Sequence, residues 1–211
     1  MIKDQMDEIY SNIPLEEIPW NMETPPDLLK KIIDTHLDKS SKIIELGCGA
    51  GNYVIYFAGK GLDITGVDIS SKAIDIAKNS AKENGVSCNL FVCDALNDMT
   101  ELSDNYDFVY DWELLHHIFP EDREKYINNV CRLLKPGGLY LSVSFSELSP
   151  QFGGKGIYRK TPLDTVLYFS SESEISELVK PHFKVLELKT VEIPGKHAPH
   201  KAIYTLLKKQ E

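Results

Sequence analysis

Short apolar runs alternate along this chain with amphipathic segments of helical period, and glycine, asparagine or proline marks most of the boundaries. Ile43 and Ile44 form a short buried strand, Glu45 to Asn52 a glycine-rich turn, and from Tyr53 onward Val54, Phe57 and Ala58 recur at helical spacing. A second strand is predicted at Leu62–Ile69. The helix Ser70–Lys82 follows, with Ser70 or Ser71 as N-cap, Ala73, Ile74, Ala77 and Ala81 facing inward, and Asn84-Gly85 as its stop. Strands at Asn89–Cys93 and Tyr106–Tyr110 come next. Pro120 opens a helix running through Glu121–Leu134, with Tyr126, Ile127, Val130 and Leu134 on its apolar stripe, and the LKPGG turn leads into a fifth strand, Leu139–Phe145. Strands alternating with helices predict a parallel sheet covered on both faces.

The two flanks are less regular. Met1–Thr24 holds Pro14, Pro19, Tyr10 and Trp20 and reads as an irregular arm, followed by a helix opened by Pro25-Pro26 with the stripe Leu28, Leu29, Ile32, Ile33 and Leu37. Ser146–Tyr168 is rich in glycine and proline, and a connection of that length at a strand's carboxyl end predicts a cap over the ligand crevice, with Tyr158 and Arg159 as candidate acceptor contacts. Ser171 and Glu174 have capping-box spacing at the head of the helix Ser171–Val179, and strands Phe183–Ile193 and Ala202–Lys208, joined by Pro194–His200, complete the chain. The reading is one domain over residues 1–211, with 1–25 as arm or lid and 146–170 as cap.

Composition narrows the partners. The 211 residues are 42% hydrophobic and 26% charged, enough for one α/β core, and 23 basic against 32 acidic residues give a net charge of −9. Such a chain has no general field for nucleic acid or an anionic membrane. With the charged start MIKDQMDEIY and no long apolar run, the expectation is a cytoplasmic protein, monomeric or a weak homodimer, acting on a small molecule. The cysteines Cys48, Cys88, Cys93 and Cys131 show no metal spacing and are expected as thiols, Cys88 and Cys93 on opposite faces. His116-His117 lacks a third ligand, so no metal is expected.

Candidate chemistry gathers at strand ends. Gly47, Gly49 and Gly51 clear side chains from the first turn, Asp68 follows Gly47 by 21 residues at the tip of the second strand, and Asp94-Ala95 stands at the tip of the third. Asp68 is placed to accept both hydroxyls of a ribose. A nicotinamide-dependent oxidoreductase shares the loop and the acid, but here the third glycine follows the second by two residues rather than three.

In order and spacing, ELGCGAGN, VDIS, CDALN, YDFVYDWELLHHI and LLKPGGLYLSV resemble the motif series of class I S-adenosylmethionine-dependent methyltransferases, over Lys42 to Val143. The resemblance implies a Rossmann-like seven-stranded, mostly parallel sheet of order 3-2-1-4-5-7-6 with the last strand antiparallel. It implies S-adenosyl-L-methionine as cofactor and S-adenosyl-L-homocysteine as product. It assigns Trp20, Glu45, Gly47, Gly49, Asp68, Ile69, Asp94, Ala95 and Asp111 to the cofactor, with Asp94 on the adenine amine. The segment IPWNMETPP resembles the arm of thiol and thiopurine methyltransferases, in which a tryptophan closes over the cofactor; Trp20 packing the arm onto the sheet is the alternative. His117 and Asp111 are the candidate catalytic groups; Glu113 and Asp111 are rival bases to the histidine, or else hold the cofactor's ammonium. Methyl transfer to a thiol or other soft nucleophile is the preferred reading, with an O- or N-methyltransferase or a non-catalytic binding module as alternatives.

Overall fold

The computed structural model describes residues 2–97, 99, 102 and 105–210. Parts of the expected polar loop Asp94–Ser103, at Asp98, Thr100, Glu101 and Ser103, lie outside the described residues. The helices are α1 (Ile2–Asn12), α2 (Asp27–His36), α3 (Asn52–Gly59), α4 (Ser71–Glu83), α5 (Pro120–Leu133) and α6 (Glu172–Val179). The strands are β1 (Lys42–Leu46), β2 (Asp63–Asp68), β3 (Asn89–Val92), β4 (Tyr106–Trp112), β5 (Leu134–Phe145), β6 (Tyr158–Lys160), β7 (Val166–Tyr168), β8 (Phe183–Ile193) and β9 (His200–Lys209).

Fully buried Ile43, Ile44 and Leu46 make β1 an interior strand of the sheet, since a strand covered on both faces has no polar side to present. The order is β3-β2-β1-β4-β5-β9-β8, with β9 antiparallel to both neighbours. This is the predicted topology, the intervening hairpin β6-β7 forming a separate two-stranded sheet. Leu46 is in register with Val67 of β2 and Asp111 of β4, so the chain leaves all three strands at one level. One face is packed by α2, α3 and α4 through residues such as Leu29, Ile33, Val54, Phe57 and Ala77, the other by α5 and α6 through Tyr126, Ile127, Val130 and Val179.

The predicted caps are present: Ser70 Oγ accepts from Ala73 N, and Ser171 with Glu174 closes a complete capping box. The arm departs from expectation. Residues 2–12 form α1, because Met6, Ile9 and Tyr10 fall on one helical face and bury against Ala73 of α4. Asp7 then reaches the start of α4, accepting from Ser70 Oγ at 2.7 Å and Lys72 N at 3.1 Å.

The cap also differs in detail. Arg159 is 4% exposed, donates to the carbonyls of Glu147, Ser149, Gln151 and Gly156 and lies over the Phe169 ring, so it holds the segment together instead of meeting an acceptor. Tyr158 points away, its ring packed on Phe119 and Tyr168. Among the described residues, no helix is long and apolar enough to cross a membrane.

Gly51 caps α3 with φ +78, and a Cβ there would stand 2.7 Å from Ala77 Cβ. Gly85 has φ +64 but open space around it. Urea titration should therefore show Gly51→Ala losing about 2 to 4 kcal/mol, the sum of left-handed strain and overpacking, and Gly85→Ala only about 1 to 2 kcal/mol.

Candidate active site

The glycine loop is held open by hydrogen bonds from its own backbone. Gly47 N and Cys48 N both donate to Val67 O, at 2.8 and 2.9 Å, and Gly49 N donates to Asp68 Oδ2 at 2.9 Å. Ser70 N donates to the other oxygen, Asp68 Oδ1, at 2.8 Å. The loop and the tip of β2 thus form one unit around the Asp68 carboxylate. Tyr10 of α1 sits directly above, its hydroxyl 2.5 Å from where a Gly49 Cβ would be, and it accepts from Trp20 Nε1 at 2.9 Å.

Beneath α1 lies a cavity walled by Glu45, Gly47, Gly49, Asp68, Ile69, Glu113 and His117, with rings from Tyr10, Trp20, Tyr53 and Trp112. Three carboxyl groups converge there and no described lysine or arginine lines it. Glu45 is 4% exposed and accepts from Tyr110 Oη at 2.9 Å; burial pushes its carboxyl up to about 8, against the opposing effect of that bond. Burial also raises Asp68, opposed by the N–H groups of Ser70 and Gly49, and holds His117 neutral by lowering it to about 4. The cavity is acidic and lined by aromatic rings, an environment suited to a small organic cation. These features fit the S-adenosylmethionine that the motif resemblance implies.

A second cavity of about 640 Å³ opens from the first. Trp20, Met22, Tyr53, Trp112, Glu113 and His117 border both. Its remaining wall includes Phe145, Phe152, Leu163, Leu167 and Ile193, with His116 and His200 among its polar groups. Burial lowers His116 well below the usual imidazole range. Among the described residues, no cluster of three or more histidine, cysteine or acidic side chains could hold a metal.

The structure therefore brings together Trp20, Glu45, Gly47, Gly49, Asp68, Ile69 and His117, but three other expected residues lie elsewhere. Asp111 is fully buried and lines neither cavity; it accepts from Tyr140 Oη, Tyr126 Oη and Ser142 Oγ at 2.5 to 3.2 Å and from Leu115 N at 3.2 Å. The cause is strand alternation: Tyr110 and Trp112 face the cofactor side, so Asp111 must face the α5 side. Burial raises Asp111 to about 6, opposed by its four donors. Asp94 closes an Asx turn on Leu96 N, and Ala95 O accepts from Asn129 Nδ2; neither residue is on a cavity wall. Tyr10, Tyr53 and His200 belong to the walls although no motif marked them.

A family profile described as "Methyltransferase domain" matches residues 43–138. Over these residues the chain is similar to a methyltransferase domain. This domain supplies Glu45, the glycine loop, Asp68, Glu113 and His117, whereas Trp20, the cap and His200 lie outside it. The chain is 32% identical over 127 residues to the ubiquinone biosynthesis O-methyltransferase of Coxiella burnetii (strain RSA 493 / Nine Mile phase I), covering 60% of this chain and 52% of that one. It is 29% identical over 140 residues to the tRNA N(3)-methylcytidine methyltransferase Mettl2 of Drosophila melanogaster, covering 63% and 43%. The chain thus spans about half the length of the curated relatives it matches. A solved structure titled "Conversion of a Disulfide Bond into a Thioacetal Group during Echinomycin Biosynthesis" superposes with a TM-score of 0.82 over 100% of this chain and 93% of the other, at 20% identity, a likeness of fold.

Because native Glu45 keeps its proton to about pH 8 while an unfolded glutamate ionises near 4.5, the folded state binds the extra proton between those values. Unfolding free energy should fall as pH rises from about 5 to 8. Glu45→Gln, which still offers Tyr110 an acceptor, should remove most of that slope in chemical denaturation at stepped pH.

Proposed function

We propose that the chain transfers a methyl group from S-adenosylmethionine to a small molecule held in the larger cavity. The observation that carries this reading is the meeting of Glu45, Asp68 and Glu113 with four aromatic side chains, without a lysine or arginine, at the mouth of a 640 Å³ apolar chamber. The cofactor, when bound, supplies a methyl already activated by its positive sulfur. The protein's part is then to hold two molecules in line and keep water out, for which proximity and orientation contribute about 7 to 11 kcal/mol. Asp68 retains lone pairs beyond those used by Gly49 N and Ser70 N and offers them to ribose hydroxyls. Glu45 offers a carboxyl whose ionisation an ammonium would favour.

The acceptor chamber sits between the arm, the cap and the loop before β9, so its size is set by parts outside the matched domain. An apolar chamber of this size holds a drug-sized molecule, and a net charge of −9 does not favour a polyanion. The Coxiella relative is named for methylation in ubiquinone biosynthesis, which agrees with a small acceptor, and the insect relative for tRNA, which this chamber does not favour. Sulfur, oxygen and nitrogen acceptors all fit this reading, the thiol resting on the resemblance of the YDWELLHHI edge together with the arm.

Titration calorimetry should show S-adenosylmethionine binding, weakened about 10- to 100-fold by Asp68→Asn, in keeping with loss of charged hydrogen bonds. Wild-type affinity should rise from pH 6 to 8, because binding an ammonium expels the Glu45 proton, and should be flat in Glu45→Gln. Absence of saturable binding, or saturable binding of a reduced nicotinamide cofactor in its place, would refute the reading.

A further inference from the structure

Five buried side-chain polar atoms among the described residues have no hydrogen-bond partner, and four of them, Glu113 Oε1, His116 Nδ1, His117 Nδ1 and His200 Nε2, belong to residues that line the larger cavity. Buried polar atoms in folded proteins almost always have partners, so four orphans around one chamber mark where a ligand's polar groups go. Glu113 Oε1 and His200 Nε2 stand 2.6 Å apart, off the line of a hydrogen bond. Glu113 adopts φ +67, a strained conformation for a side chain with a Cβ, while its N–H is held by Val143 O at 2.8 Å. That backbone turns the carboxylate to the boundary of the two cavities. Of the residues bordering both, Glu113 is the sole carboxylate. Phe145 packs at a tilt against both His116 and His200, with ring centroids 4.8 and 4.6 Å away, and so restrains the second imidazole.

We infer that Glu113 is the general base for a hydroxyl acceptor, a flat ring bearing an O–H group, and that His200 is the residue positioning it. This rests on the methyl-transfer reading above and names the acceptor class for that site. In the step, the acceptor's O–H bond breaks and its proton goes to a Glu113 carboxylate oxygen. An oxygen lone pair forms the new O–CH3 bond, and the electron pair of the broken S–CH3 bond stays on sulfur. The products are a methyl ether, a neutral thioether and protonated Glu113. A thiol would not need this device, since it is already partly ionised near neutral pH, whereas a phenol with a value near 10 is not. The flat shape follows from the aromatic walls at Trp20, Trp112, Phe145 and Phe152.

The test uses the full chain and two readouts. In calorimetry, 2-naphthol should bind at least tenfold more tightly than 2-methoxynaphthalene, which lacks the O–H; Glu113→Gln and His200→Ala should compress that preference to threefold or less, and His200→Gln, which returns an N–H near Nε2, should restore part of it. In methyl transfer from labelled S-adenosylmethionine, Glu113→Gln should lower turnover of 2-naphthol about 100-fold more than turnover of 2-naphthalenethiol. Equal binding of 2-naphthol and 2-methoxynaphthalene by wild type, no turnover of 2-naphthol, or equal losses on both acceptors would overturn the assignment. Preference for 2-naphthol in a chain that fails to bind S-adenosylmethionine would instead overturn the methyl-transfer reading and leave the hydroxyl site standing.

Discussion

The site depends on one carboxylate and two backbone N–H groups. Asp68 leaves β2 with Oδ2 on Gly49 N and Oδ1 on Ser70 N, and so ties the loop after β1 to the start of α4. Without that tie the loop has little reason to stay open, because three of its residues are glycines in left-handed conformations that an unfolded chain samples freely. Charge-assisted bonds of this kind are worth more than neutral ones, and here they also fix an acid on the cavity wall. Asp7 adds a second tie from α1 to the same helix start. The roof over the cavity and its floor therefore share an anchor.

Strand alternation decides which acids are available to a ligand. On β4, Tyr110 turns to Glu45 while Asp111 turns to Tyr126 and Tyr140, and the two carboxyls end on opposite faces of one sheet. Asp111 spends its lone pairs on four protein donors and holds α5 and β5 to β4. Glu45 has one protein donor and faces the cavity, with capacity left for a ligand. Burial raises both groups, but only Glu45 has a route by which a bound cation could lower it again.

Reading the residues in order recovers the sheet, because β1 to β5 are marked by apolar runs and the turns between them by glycine and proline. It recovers the meeting of the glycine loop with the tip of β2 for the same reason: Gly47, Gly49 and Asp68 are placed by local backbone demands at the spacing of a strand-turn-helix-strand unit. What escaped it depends on contacts distant in sequence. The stripe Met6, Ile9 and Tyr10 was present in the arm, but proline and acids nearby suggested an irregular segment; burial against α4 settles it as helix. Asp111 stands on the α5 side, away from both cavities, because its side of the strand follows from the neighbours of Tyr110. His200 meets Glu113 across 87 residues of chain, and no local pattern marks such a pair.

The central claim is that the acid-lined cavity at the ends of β1, β2 and β4 receives an adenosyl ligand whose sulfur faces the larger chamber. A crystal structure of the full chain with S-adenosylhomocysteine tests it most directly. The account predicts ribose hydroxyls within hydrogen-bond distance of Asp68 and the sulfur at the boundary formed by Trp20, Tyr53, Trp112 and Glu113. Ligand density elsewhere on the molecule, or a sugar out of reach of Asp68, would contradict it.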